Sequence, residues 1–157
     1  MKLRLEPHDI PDQVRRKFTE YLEWKKLRKT PARYAILESM YKAHGHYDVE
    51  SLYRKLKQEG HVVSRATVYN TLDLLVECDL VKRHQFGQHQ TLYERSHGSR
   101  QHDHLICLDC KLVSEFCDPR MQRIQDTAGQ LLQFEVVSHS LVLYGRCVNP
   151  DCTNRKA

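Results

Sequence analysis

Residues 64–94, SRATVYNTLDLLVECDLVKRHQFGQHQTLYE, decide the architecture. Ser64 is a residue type that caps helices, and behind it Val68, Leu72, Leu75 and Val76 recur at the period of a helix buried on one side. The period then changes. Residues 80–85 and 90–94 read as two short strands around Phe86-Gly87-Gln88-His89, a hairpin-like connection. Upstream, Pro11 opens a segment over 12–27 in which Val14, Phe18, Tyr21, Leu22 and Lys25 mark a partly apolar helical face. Thr30 and Pro31 fit the cap and first turn of a helix to about Tyr41, and a third helix is predicted over 48–57, ending at Gly60. Helices followed by a two-stranded ribbon make a winged-helix domain, assigned to residues 1–94.

The polar stretch 95–101 lacks apolar periodicity and is expected to be a hinge. Beyond it, 104–108 and 112–116 are strand-like, 119–134 helical, and 135–147 alternates as one long strand. Residues 102–157 are therefore expected to form a second, smaller α/β domain, and the chain as a whole is α+β. No apolar run approaches the roughly 18–20 residues of a membrane span. The first residues lack the apolar core and cleavage site of a secretory signal, so a cytoplasmic location is expected.

The net charge of +5 is unevenly placed: residues 1–85 hold 17 Lys and Arg against 12 Asp and Glu, and the remainder hold 8 against 8. A basic front half on a neutral back half points to a polyanionic partner for the front alone, nucleic acid before a membrane surface. On the helix after Ser64 the outward face carries Ala66, Thr67, Asn70 and Asp73, with Tyr69 on its flank. Thr67 and Tyr69 suit thymine methyls or phosphates, Asn70 an adenine edge, and Arg65 a phosphate. Arg28, Lys29 and Arg33 cluster around the second helix, placed for the backbone or the minor groove.

Six cysteines in a reducing compartment direct attention to metal ligation rather than disulfides. Cys107 and Cys110, with two residues between them, and Cys147 and Cys152, with four between them, form two pairs that suit a structural zinc site of four thiolates. A redox Cys-x-x-Cys is disfavoured because Cys110-Lys-Leu-Val does not resemble an active-site helix start. Cys78 is assigned to the core. Cys117 is read as a spare thiol near the zinc knuckle, structural rather than reactive. His102 and His104 fall on one face of an extended chain, within reach of one ion, and Glu94, Glu115 and His46 are further donors. Such nitrogen and oxygen donors suit Fe²⁺, Mn²⁺ or Zn²⁺. A zinc hydrolase is the enzymatic alternative, disfavoured by the absence of a nucleophile-positioning loop.

With these residues in view, LRKTPAR (27–33), SRATVYNTL (64–72), HDHLICLDC (102–110) with Glu115-Phe116, and His139-Ser-Leu with YGRC (144–147), the chain resembles the ferric uptake regulator family of bacterial repressors. The resemblance implies a homodimer that is not an enzyme and takes no small-molecule substrate or membrane partner. It would read palindromic double-stranded operator DNA with Fe²⁺ as corepressor, and Mn²⁺ or Zn²⁺ could substitute. It further implies that Tyr69 touches bases and that Cys107, Cys110, Cys147 and Cys152 hold structural Zn²⁺. His46, Glu94, His102, His104 and Glu115 would form the regulatory site. Lys111 stands where glycine commonly follows the second cysteine, and the Cys147 to Cys152 loop is two residues longer than usual. Asp103 and His139 match a third metal site of some members, but Gln101 and Gln122 occupy its other positions, so that site is expected to be weak or absent. Within the family, peroxide sensors tend to carry aspartate in place of Glu94 and Glu115, and no cysteine lies near Glu94 as in zinc sensors. The iron-responsive branch is therefore expected. Outside it, a metal-independent DNA-binding protein remains the contrasting class.

Overall fold

The computed structural model describes residues 10–42, 45–86, 90–96 and 101–148. The chain divides into two compact units, Met1–Ser99 and Arg100–Ala157. Unit 1 contains α1 (Asp12–Trp24), α2 (Pro31–Lys42), α3 (Val49–Gln58), α4 (Arg65–Glu77), β1 (Val81–Phe86) and β2 (Gln90–Arg95). Its core joins Phe18 and Leu22 of α1 to Ile36 and Leu37 of α2, Leu52 of α3 and Leu72 of α4, all fully buried. Of the positions that the helical period marks, Val14, Phe18, Leu22, Val68, Leu72 and Leu75 are buried, Tyr21 and Val76 are half-buried and Lys25 is exposed.

α1 stops at Trp24, three residues earlier than its apolar pattern extends, because Lys26 turns into the left-handed region at φ 55°. The Leu27 N–H then donates to the Leu22 carbonyl over 2.8 Å, closing the helix end in a Schellman-like turn. Asp48 stands outside α3 as its cap, its carboxylate accepting from the Ser51 N–H at 2.6 Å. Ser64 caps α4 as expected, accepting from the Thr67 N–H at 3.1 Å and sharing a hydrogen bond with the Thr67 hydroxyl at 2.8 Å. Ser64→Ala is expected to cost about 1 kcal/mol of unit 1 stability. A denaturation midpoint equal to the native one would show that the cap contributes nothing.

β1 and β2 pair antiparallel, from Val81 opposite Arg95 to Phe86 opposite Gln90. Tyr93 and Val81 fasten the ribbon to the unit 1 core. Tyr47 exchanges both backbone hydrogen bonds with Tyr93, at 3.0 and 2.8 Å, and this isolated bridge brings the residue before it, His46, beside Glu94.

Unit 2 contains β3 (Asp103–Cys107), β4 (Val113–Phe116), α5 (Arg120–Leu132) and β5 (Val142–Gly145). The sheet order is β4-β3-β5, with β3 antiparallel to β4 and parallel to β5. The long strand expected over 135–147 is therefore corrected to four residues. Alternation marks faces, but a strand also needs a neighbour to pair with. β3 begins at Asp103, whose carboxylate takes the Leu141 N–H at 3.1 Å and ends the ladder there. α5 closes at Gln133, φ 59°, and the Phe134 N–H donates to the Gly129 carbonyl at 2.9 Å. A Cβ on Gly129 would lie 2.7 Å from the Phe134 carbonyl oxygen, so the close approach requires glycine. Among the described residues no helix is long and apolar enough to cross a membrane.

Candidate metal centres and nucleic-acid face

The thiolate cluster follows from the strand register. Cys107 ends β3 opposite Gly145 of β5, and Cys147 lies two residues beyond that pair. The Cys107-Leu-Asp-Cys110 turn folds back so that the sulfurs of Cys107, Cys110 and Cys147 all lie within 4.8 Å of one another. The Cys110 N–H points at the Cys107 sulfur over 3.5 Å. That backbone donor holds the Cys107 thiol below its ordinary pKa, favouring the thiolate that a metal requires. Lys111 adopts φ 62°, a conformation that costs a non-glycine residue about 1 kcal/mol. Its N–H to Cys107 O at 3.0 Å and its Nζ to Leu108 O at 2.7 Å offset the cost and keep the turn without glycine. Arg146 reaches Asp109 at 2.8 Å, joining the two cysteine-bearing loops. Three clustered thiols, with that of Cys107 lowered in pKa, fit a thiophilic structural metal. Cys152 lies outside the described residues.

The remaining cysteines separate. Cys78 is buried against the α4 end, and burial pushes its thiol up to about 11. Cys117 is exposed, and its Sγ lies 3.1 Å from the Gln101 carbonyl. It stands next to Phe116, which pairs with Asp103 at the end of the β3–β4 ladder remote from Cys107. Its expected place near the knuckle is thus corrected. In zinc-replete protein at pH 8, a maleimide reagent is expected to modify Cys117 quickly and Cys78 only after unfolding, because the attacking species is the accessible thiolate. Equal rates by mass spectrometry would contradict the burial of Cys78.

Nitrogen and oxygen donors gather in both units. In unit 1, His46 Nε2 lies 3.1 Å from Glu94 Oε2. Two donors each about 2.0–2.2 Å from one ion, at a right angle, stand roughly 3 Å apart, so this spacing fits chelation. His84 Nε2 lies 2.9 Å from the other oxygen of Glu94. The sequence reading omitted His84 from the site; its place on β1, diagonal to Glu94 across the ribbon, is the signal that would have found it. In unit 2, the rings of His102 and His104 are 4.9 Å apart, and His102 Nε2 is 3.9 Å from Glu115 Oε1. Glu115 pairs with His104 across β3 and β4. The Asp103 and His139 pair also forms, at 3.1 Å, with Gln101 donating to the His139 carbonyl at 2.9 Å. Gln122 donates instead to Asp126 within α5, at 2.9 Å.

On α4, Ala66, Tyr69 and Asn70 are exposed, and Tyr69 keeps half of its surface open to solvent. Thr67 spends its hydroxyl on the Ser64 cap. Asp73, expected on the outward face, is half-buried and pairs with Arg83 of β1 at 3.2 Å. The cations are less free than their sequence positions imply. Glu50 grips Arg65 through two hydrogen bonds of 2.7 and 2.9 Å while the guanidinium stacks 4.3 Å from the Tyr53 ring centre. Lys29 pairs with Glu23 at 2.7 Å, and Arg33 donates to the Arg28 carbonyl. The Arg28 side chain is exposed.

Residues 25–144 match the ferric uptake regulator family. A ferric uptake regulation protein of Campylobacter jejuni is 36% identical over 148 residues, covering 93% of this chain and 92% of that protein. The crystal structure of the Vibrio cholerae ferric uptake regulator is 34% identical and superposes with a TM-score of 0.69, covering 82% of this chain and 98% of that one. A manganese-containing structure of the Pseudomonas aeruginosa ferric uptake regulator is 32% identical with a TM-score of 0.71, covering 83% and 98%. The fold, the donor clusters and these similarities agree, and the chain belongs to the ferric uptake regulator family.

Proposed function

We propose that the chain is an iron-responsive, dimeric repressor that binds palindromic operator DNA when a divalent ion occupies a regulatory site built from both units. The carrying observation is that each unit holds a ready half-set of donors, His46 with Glu94 in unit 1 and His102 with His104 and Glu115 in unit 2. Neutral imidazoles and carboxylates suit Fe²⁺, with Mn²⁺ or Zn²⁺ as substitutes. The thiolates of Cys107, Cys110, Cys147 and Cys152 would keep a separate structural Zn²⁺. Dimerisation is supported by unit 2's apolar surface. Of the described hydrophobic side chains there, only Ile106 and Cys107 are buried, while Leu131, Leu132, Phe134 and Val137 are each at least 67% exposed. So much open apolar surface on a small unit calls for a partner, and a second copy supplies one by symmetry.

In a dimer, α4 is the helix that enters the major groove, reading with Tyr69 and Asn70 and anchored by Arg28. Selection of duplexes from a random pool with Mn²⁺-loaded protein is expected to recover a palindrome, and chelation to release it. Recovery without sequence preference, or binding indifferent to chelation, would favour the metal-independent class. On the selected site Tyr69→Ala is expected to lose roughly tenfold in affinity, mainly against that sequence. Arg28→Ala should weaken all sequences alike and reduce the salt slope by about one. The reverse pattern in a salt titration would exchange the roles of reader and anchor.

A further inference from the structure

We propose that His84 is a positioning residue of the regulatory metal site, holding the Glu94 carboxylate in the orientation in which it receives the ion. The inference rests on the regulatory-site reading above and extends it to a strand that contributes none of the five expected ligands. β1 and β2 pair with Lys82 opposite Glu94 and His84 opposite Leu92. His84 and Glu94 therefore stand on one face of the ribbon as diagonal neighbours, within reach of long side chains. His84 Nε2 is 2.9 Å from Glu94 Oε1, and His46 Nε2 is 3.1 Å from Oε2. The two oxygens of one buried carboxylate thus face two different imidazoles, whose rings are 5.8 Å apart and inclined at 69°.

This division has a chemical consequence. A carboxylate that gives one oxygen to a metal leaves the other to accept a hydrogen bond, and that outer bond fixes the side-chain rotamer and its basicity. His46 faces the oxygen that would join it as co-ligand, whereas His84 faces the remaining one. An Nε2–H on His84 donating to Oε1 holds Glu94 before and after the ion binds. The backbone bridge between Tyr47 and Tyr93 fixes His46 from the other side, so both partners of the carboxylate sit on anchored backbone. His84 lies on β1 and Glu94 on β2, so the contact ties both strands of the wing to occupancy of the site.

The test uses zinc-replete protein and measures binding of one further Mn²⁺ from the electron paramagnetic resonance signal of the free ion. Loss of an outer hydrogen-bond partner typically weakens metal binding about 10- to 100-fold, and His84→Leu, which keeps bulk but removes the donor, is expected to fall in that range. His84→Gln restores an N–H at similar reach and should bind close to the native value, with Mn²⁺-free melting unchanged in both. Native affinity in His84→Leu would overturn the proposal. So would His84→Gln as weak as His84→Leu, since the imidazole would then act as a ligand or by packing. Glu94→Ala separates the two readings: if it binds Mn²⁺ as the native chain does, the regulatory site itself is misassigned and this role falls with it. Should His84→Leu fail to fold, the ring tautomer in native protein decides, by long-range ¹H–¹⁵N correlation. The Nε2–H tautomer supports the donation, and the Nδ1–H tautomer overturns it.

Discussion

Replacing Cys107 or Cys147 by serine is expected to strip the chain of the structural zinc proposed for it and to unfold or loosen unit 2 while unit 1 stays folded. The size of the effect follows from how little else within a single copy holds unit 2 together. Its three-stranded sheet buries Ile106 and Cys107, and α5 buries only Gly129 among the described residues. A structural zinc contributes about 10–16 kcal/mol of apparent binding free energy, comparable with or larger than the roughly 5–15 kcal/mol of an entire domain. No side-chain packing visible in unit 2 approaches that. Unit 1, by contrast, has a continuous apolar core from α1 to β2 and should keep its amide protection. Metal analysis should give about one zinc per native chain and much less per variant, with hydrogen exchange accelerated over Asp103–Cys107 and Val142–Gly145. Full zinc content and unchanged melting in both variants would refute the thiolate site.

What the sequence made legible depended on whether a residue's role was local. Ser64 and the apolar period behind it define α4 without help from the rest of the chain, and the four helices and the ribbon appear where local pattern places them. The approach of Cys107 to Cys110 was equally readable, because a two-residue loop constrains two sulfurs by covalent geometry alone. The stretch before Leu141 was not. Its alternation satisfies a strand pattern, yet pairing ends where the Asp103 side chain captures a backbone N–H, a contact 38 residues away in sequence. Arg65 fails for the same reason. Its charge was legible, but Glu50, on another helix, consumes it. His84 was one of several histidines in a central run until the register placed it diagonal to Glu94.

A double variant, His102→Ala with His104→Ala, is expected to keep its structural zinc and lose the metal response of operator binding. His46 and Glu94 belong to unit 1, and His102, His104 and Glu115 to unit 2, so under the proposed function an ion using both sets would link the two units. A palindromic operator demands one spacing of the two recognition helices, about 34 Å or one helical turn apart. An ion that is bound more tightly in that arrangement favours DNA binding without touching DNA. Its effect cannot exceed its differential affinity for the two arrangements, and couplings of about 1–3 kcal/mol correspond to roughly 5- to 150-fold. Titrating the native dimer with its selected operator should therefore show tightening in that range on addition of Fe²⁺ or Mn²⁺, and none for the double variant. By reciprocity, operator DNA should raise the affinity of the native protein for Mn²⁺ by the same factor. That second measurement separates a linked switch from a metal that merely stabilises the fold: a stabiliser would shift melting but leave Mn²⁺ affinity indifferent to DNA. Equal metal responses in the native and variant proteins would place the sensing site elsewhere in the chain.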